Sequence, residues 1–197
     1  MPCHACRRRS GTTMGLCAPC RRGLSAQQDR RTAGGVLVSA AFLHAGAARR
    51  LVHRLKYDGL RSVVRHVAPA LARLLPDGAA ALVPVPRAVS RRWRHGVDPA
   101  LELAAGVGDL ARLPVRRILR PAFWHPHRSG GPRRRRGVPV YTLRAAAVPS
   151  GIVLVDDVMT TGTTLDAAAA AIGDVRHAIT LTVAPRRTAL RAPSAGR

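Results

Sequence analysis

Residues Ile152 to Leu165 read IVLVDDVMTTGTTL, and the fold is decided there. Ile152 to Val155 form a short apolar run, mostly β-branched and bounded by turn residues, which reads as a buried parallel strand. Two adjacent carboxylates follow, Asp156 and Asp157, and then the cluster Thr160-Thr161-Gly162-Thr163-Thr164. Asp166 to Ile172 is helix-forming. A Thr/Gly cluster that opens a helix leaves backbone N–H groups bare, which makes a phosphate cradle. A strand ending in two acids before such a loop suits a sugar phosphate, with the acids on ribose hydroxyls and the loop on the phosphate. A capped helix behind an ordinary acidic turn would account for Asp156 and Asp157. It would not account for the Thr/Gly loop.

The chain has 197 residues, enough for one α/β domain plus a small accessory module, and its 47% hydrophobic content is that of a globular protein. No apolar run of about 18 residues is present, so no membrane insertion is expected. Met1-Pro2-Cys3-His4 lacks the basic and apolar regions of a signal peptide, and the chain reads as cytoplasmic. The net charge of +23 is extreme. Lys56 is the sole lysine and Glu102 the sole glutamate, so arginine supplies nearly all the positive charge and acids are scarce. Such a field holds polyanions with steep salt dependence, which makes single-stranded DNA or another nucleic acid a candidate partner. Arginine bias with no selected partner is the competing reading. At 3% aromatic content the chain lacks the stacking platforms of single-strand binders, and Trp93 and Trp124 both lie in basic stretches.

All the cysteines fall in two knuckles, Cys3-x-x-Cys6 and Cys17-x-x-Cys20, separated by ten residues. Four thiolates at this spacing suit tetrahedral Zn²⁺ in a closed structural site. Structural disulfides do not suit a cytosolic chain, and a redox pair needs only one Cys-x-x-Cys on a βαβ unit. His4 is left out of the shell, which the cysteines complete.

Between the motifs, Gln27 to Gly35 reads as a polar linker and Val36 to Leu43 as a strand. Ala48 to Leu75 has helical periodicity broken at Asp58-Gly59. Lys56, in Leu55-Lys56-Tyr57-Asp58-Gly59, stands near a helix end from which an ammonium reaches a phosphate; a solvated surface lysine is the alternative. Leu82 to Pro86 reads as a strand entering an arginine-dense loop that holds Arg87 and Arg91, followed by a helix over Pro99 to Leu110. Forked guanidiniums there match pyrophosphate oxygens. Arg117 to Arg136, with Gly130 and Gly131, reads as a loop. Val138 to Leu143 and Ala178 to Val183 are expected to complete the strand set, and Pro185 to Arg197 is a basic tail.

Over roughly thirteen consecutive positions the Ile152 segment closely resembles the phosphoribosyl-pyrophosphate (PRPP) motif of type I phosphoribosyltransferases. The order of motifs along nearly the whole chain looks like the ComF family, the competence-associated group that includes GntX-type proteins. The shared features are two cysteine knuckles, Leu-Lys-Tyr-x-Gly, a Pro-Val-Pro strand with an Arg-rich loop, and VDDVMTTGTT. The resemblance implies an α/β fold of type I phosphoribosyltransferase kind, a parallel sheet flanked by helices behind a zinc-ribbon or knuckle module. The implied division is 1–35 zinc module and linker, 36–190 transferase-like domain, and 191–197 tail.

It further implies that Asp156 and Asp157 hold the ribose hydroxyls and are the catalytic pair. Val158, Met159, Thr160, Thr161, Gly162, Thr163 and Thr164 complete the PRPP site. Lys56, Arg87 and Arg91 stand on the pyrophosphate side, with Mg²⁺ accompanying PRPP. The implied reaction transfers a phosphoribosyl group to a nitrogen acceptor, in a protein linked to DNA uptake through competence-machinery partners. Purine-salvage enzymes for 6-oxopurines carry an Asp three residues after the acid pair, where this chain has Thr160, which disfavours that acceptor class. The family's Arg-Gly-Phe-Asn-Gln is replaced by His95-Gly96-Val97-Asp98-Pro99. Its Asp-Gln-x-x-Leu segment has no counterpart in Pro126 to Pro132. These acceptor-side departures raise the alternative of a catalytically weak PRPP-binding scaffold or sensor.

Overall fold

In the computed structural model, which describes residues 2–9, 12–13, 15–24, 28–59, 61–86, 97–121, 139–145 and 147–185, the Ile152 segment is a strand inside a five-stranded sheet. In chain order the elements are β1 (Thr12–Thr13), β2 (Leu16–Cys17), α1 (Ala18–Arg22), β3 (Gln28–Arg31), β4 (Leu37–Leu43), α2 (Gly46–Tyr57) and α3 (Ser62–Ala72). They continue with β5 (Ala81–Pro84), α4 (Pro99–Ala111), β6 (Leu119–Pro121), β7 (Tyr141–Leu143), β8 (Ile152–Met159), α5 (Thr163–Ile172) and β9 (His177–Val183).

The sheet order is β3-β4-β9-β8-β5. Strands β4, β9, β8 and β5 run parallel, and β3 joins antiparallel at the edge beside β4. Strand β8 is covered on both faces, which is why it reads as a continuous apolar run. Val153 and Val155 enter one buried cluster with Leu51, Leu55, Val67 and Leu103 from the helices α2, α3 and α4. Ile152 and Leu154 enter the opposite cluster with Leu165 and Ala168 of α5. The chain is therefore α/β, with a mostly parallel central sheet between helices. The break expected at Asp58-Gly59 separates α2 from α3, and Gly59 has a φ of 61° there.

Three expectations are corrected. The stretch read as a loop from Arg117 to Arg136 contains strand β6 at Leu119–Pro121. Residues 28–31 are not linker: they pair with residues 37–40, Gln28 opposite Ala40 and Arg31 opposite Leu37, so the sheet begins before Val36. Polar side chains suit an edge strand, and Asp29 and Arg31 are exposed, so the stretch shows no apolar pattern. Of the strand expected at Val138 to Leu143, Val138 lies outside the described residues, and the strand runs over Tyr141–Leu143, outside the central sheet and paired antiparallel with β6. Its place at the sheet edge is taken. Leu82 on β5 exchanges backbone hydrogen bonds with Pro114 and Arg116 at 2.9 and 2.8 Å. The β6–β7 pair instead covers the α5 side of the sheet, burying Leu119 and Tyr141.

The cysteine module is built on the antiparallel pair β1–β2 and the short helix α1. Its Cys3, Ala5, Leu16, Cys17 and Cys20 belong to the same buried cluster as Leu51 and Leu55 of α2. Among the described residues, no helix is long and apolar enough to cross a membrane.

Candidate functional site

Asp156 and Asp157 lie in the C-terminal half of the inner strand β8, the end of a parallel sheet where ligand sites gather. Adjacent strand residues point to opposite faces. Asp157 turns toward α2, and its Oδ2 pairs with Lys56 Nζ at 2.8 Å, both side chains largely withdrawn from solvent. The Asp157 backbone N–H donates to Asp156 Oδ1 at 2.7 Å. Burial, and then the Asp157 charge, raise the Asp156 carboxyl well above the ordinary carboxylate range, against the lowering pull of that N–H and of Lys56. The pair thus consists of one acid with a cationic partner and one poised to hold a proton.

Two further residues adjoin the pair. His44, just past β4, places Nδ1 2.8 Å from Thr182 Oγ1, and that hydroxyl donates to the Asp157 carbonyl at 3.4 Å. The Thr182 hydroxyl thus links the imidazole to the Asp157 backbone. Burial, together with Lys56 and Arg49, lowers the His44 pKa, while Asp157 opposes them. On the other face, Tyr141 Oη donates to the Pro86 carbonyl at 3.3 Å and thereby fixes the end of β5. Burial and the charges of Asp156 and Asp98 raise its phenol pKa.

Beyond the acids, the Met159 side chain is buried in the α5-side cluster and Val158 is half-buried, so both face the core. Thr160, Thr161 and Thr163 are exposed. The loop closes on itself through Thr161 Oγ1 and Thr163 Oγ1, 2.9 Å apart. Gly162 caps α5 with a φ of 88°. A β-carbon there would stand 2.6 Å from Thr32 Cγ2, so both the backbone and the space require glycine. The helix thus begins with its first-turn N–H groups directed at the loop, and Thr164 is half-buried within that turn. Of the pyrophosphate-side candidates, Lys56 joins this site through Asp157. Arg87 and Arg91 lie outside the described residues, as do Trp93, Trp124 and the arginine run Arg133 to Arg136.

The second constellation is the cysteine cluster. One ligand atom from each of Cys3, Cys6, Cys17 and Cys20 lies within 4.8 Å of every other, and Cys6 and Cys17 Sγ are 3.7 Å apart. Four thiolates around a metal at about 2.3 Å stand roughly 3.8 Å apart, so the cluster fits a tetrahedral ion such as zinc. Local backbone explains the geometry. Arg7, directly after Cys6, adopts a φ of 64°, turning the first knuckle, and Cys17 caps α1, whose first turn carries Cys20. Burial raises the Cys3 thiol, but backbone N–H groups of Cys17, Cys6 and Ala5 outweigh it and bring the thiol down to about 6. Burial and the neighbouring thiols push Cys20 up to about 12 despite Arg50.

A cleft of about 790 Å³ opens beside the cluster, lined by residues that include Arg8, Arg50, His53 and Arg54, but by neither acid of the pair. Arg50 reaches Cys20 Sγ at 3.8 Å, and Arg7 and Arg54 both bind Asp58 Oδ2, at 3.0 and 2.6 Å.

No protein-family model matches this chain, and no curated protein matches it. Four residues of the acid-pair site were not legible as such: His44, Thr182, Thr32 and Tyr141. None belongs to a local motif.

Proposed function

We propose that the chain is a phosphoribosyltransferase-fold protein that binds PRPP at Asp156, Asp157 and the loop Thr160 to Thr164. The observation that carries this reading is that two carboxylates in the C-terminal half of one inner parallel strand are followed, after the strand ends at Met159, by a threonine loop and a glycine-capped helix N-terminus. Carboxylate oxygens accept from a ribose diol, and the exposed threonines with the first-turn N–H groups of α5 receive the 5-phosphate. The half-shielded acid pair also offers oxygen donors suited to Mg²⁺, which when bound supplies charge neutralisation to pyrophosphate. Zinc is the metal we assign to the four cysteines.

In the reaction, the bond from ribose C1 to the pyrophosphate oxygen breaks and its electron pair leaves with pyrophosphate. The lone pair of a nitrogen acceptor forms the new C1–N bond. Asp156 and Asp157 hold the ribose while positive charge develops at C1, so positioning and charge stabilisation carry the step. Lys56 stands next to Asp157, where its ammonium can receive a pyrophosphate oxygen. A nucleic-acid partner belongs to this proposal as well, resting on the charge of +23, and the link to competence rests on the family resemblance.

A second reading, a PRPP-binding scaffold or sensor with little turnover, is favoured by the acceptor-side departures at His95 to Pro99. Calorimetry of PRPP with Mg²⁺ against wild type and Asp156→Asn/Asp157→Asn tests the site, with at least tenfold weaker binding expected in the variant. Equal affinity would remove it. Pyrophosphate release with candidate bases separates the readings: binding without turnover for every acceptor counts against the enzyme.

A further inference from the structure

Helix α2 touches both sites. Toward the cysteine cluster, Arg50 in its first half lies 3.8 Å from Cys20 Sγ. At its end Asp58, the C-cap residue, receives Arg54 at 2.6 Å and Arg7 of the first knuckle at 3.0 Å. A carboxylate at a helix C-terminus opposes the helix dipole, and here the two guanidiniums, Arg54 foremost, hold its pKa below the ordinary range. Two residues before Asp58, Lys56 leaves the same turn and pairs with Asp157. Between these anchors Leu51 and Leu55 are buried with Cys3, Cys17 and Cys20. From Arg50 to Lys56 the helix rises only about 9 Å.

We propose that α2 is a positioning element shared by the two constellations: the metal-loaded cysteine cluster, through Arg7, Asp58 and Arg50, holds Lys56 against Asp157. This rests on the reading of Asp157 as a ligand-binding acid only for its consequence, not for the coupling itself. Without the metal the knuckle that presents Arg7 loses its closure, the last turn of α2 loses one of its two ion-pair partners, and Lys56 gains freedom. Asp157 then lacks the cation that pairs with it beside Asp156. Arg50 also offsets part of the negative charge that four thiolates keep around zinc, and a purely local counter-ion role predicts no effect on Lys56.

Because Lys56 is the sole lysine of these 197 residues, isotope-labelled lysine gives one side-chain NMR signal for the chain. Its paired position is read in the zinc-loaded wild type and its unpaired position in Asp157→Asn. Stripping the metal with a chelator, or loading Asp58→Ala with zinc, is expected to move the signal toward the unpaired position. Arg7→Gly, which suits the left-handed backbone at that position, is the second variant and should do the same with metal content kept at about one per chain. A signal that stays at the paired position in all three overturns the proposal.

PRPP affinity supplies the consequence. Asp58→Ala should weaken it roughly three- to tenfold when Lys56 is present and leave it unchanged in a Lys56→Met background. Equal losses in both backgrounds overturn the coupling. Absence of PRPP binding by the wild type would instead remove the function proposed for the acid pair, and the lysine signal alone would then decide the coupling.

Discussion

Lys56 Nζ stands 2.8 Å from Asp157 Oδ2, an ion pair that ties the last turn of α2 to the end of β8 beneath the surface. A lysine that composition alone would leave in solvent is thus built into the interior of the site. Its solitude in the chain makes it a clean handle for experiment.

Breaking that pair from one side should be costly, because it strands a charge in a poorly solvated place. Lys56→Met leaves two neighbouring carboxylates without their cation, and Asp157→Leu leaves an ammonium without its anion. Each single change is expected to cost about 3 kcal/mol, and the double change Lys56→Met/Asp157→Leu should recover most of it. Urea midpoints at constant m-value are the measurement. Additive losses in the double variant would argue against a stabilising contact between the two.

Asp156 gives the stability a defined pH dependence. Its folded pKa lies above the ordinary carboxylate value. Between those two values the folded chain keeps a proton that the unfolded chain has lost, so this group's contribution falls as pH rises through the window. Asp156→Asn should be more stable than wild type above the window and show a flatter profile across it, while losing affinity for PRPP. Denaturant titrations at several pH values test this, and an Asn variant whose profile falls as steeply as that of wild type would refute it.

At Gly162 two penalties coincide, a φ of 88° and a β-carbon position 2.6 Å from Thr32 Cγ2. Gly162→Ala is expected to destabilise by about 1–3 kcal/mol. Adding Thr32→Ser removes the methyl group and keeps the hydroxyl that accepts from the Val36 N–H at 3.0 Å, so it should restore only part of the loss. Full restoration would mean that the backbone conformation carries no strain.

Metal removal should be felt beyond the module, since Cys3, Cys17 and Cys20 are buried with α2 in one cluster. Cys20→Ser or chelation is expected to lower the thermal midpoint by about 6–12 °C, corresponding to roughly 3 kcal/mol for a chain of this size. Metal analysis should find about one zinc per chain before treatment. A metal-free chain melting at the wild-type temperature would remove the structural role assigned to the cysteines.

What the sequence by itself determined lies where interacting groups are neighbours along the chain. Asp156 and Asp157 are adjacent in one strand, Thr160 to Thr164 span the loop and the first turn of α5, and each cysteine knuckle closes within a few residues, so spacing alone brought these groups together. The strands Leu37–Leu43 and His177–Val183 and the helices on either side of Asp58-Gly59 were legible for the same reason, since periodicity is a local property. Residues 28–31 escaped because an edge strand buries too little to imprint an apolar pattern, and Tyr141–Leu143 took another place because Pro114 to Arg116 already occupied the edge of β5. Only the tertiary structure decided which distant groups meet: His44 with Thr182 across 138 positions, Thr32 against Gly162, and Lys56 against Asp157. Those contacts depend on how the parallel strands are ordered in the sheet and how α2 lies across it, and no residue's near neighbours in the chain encode that order.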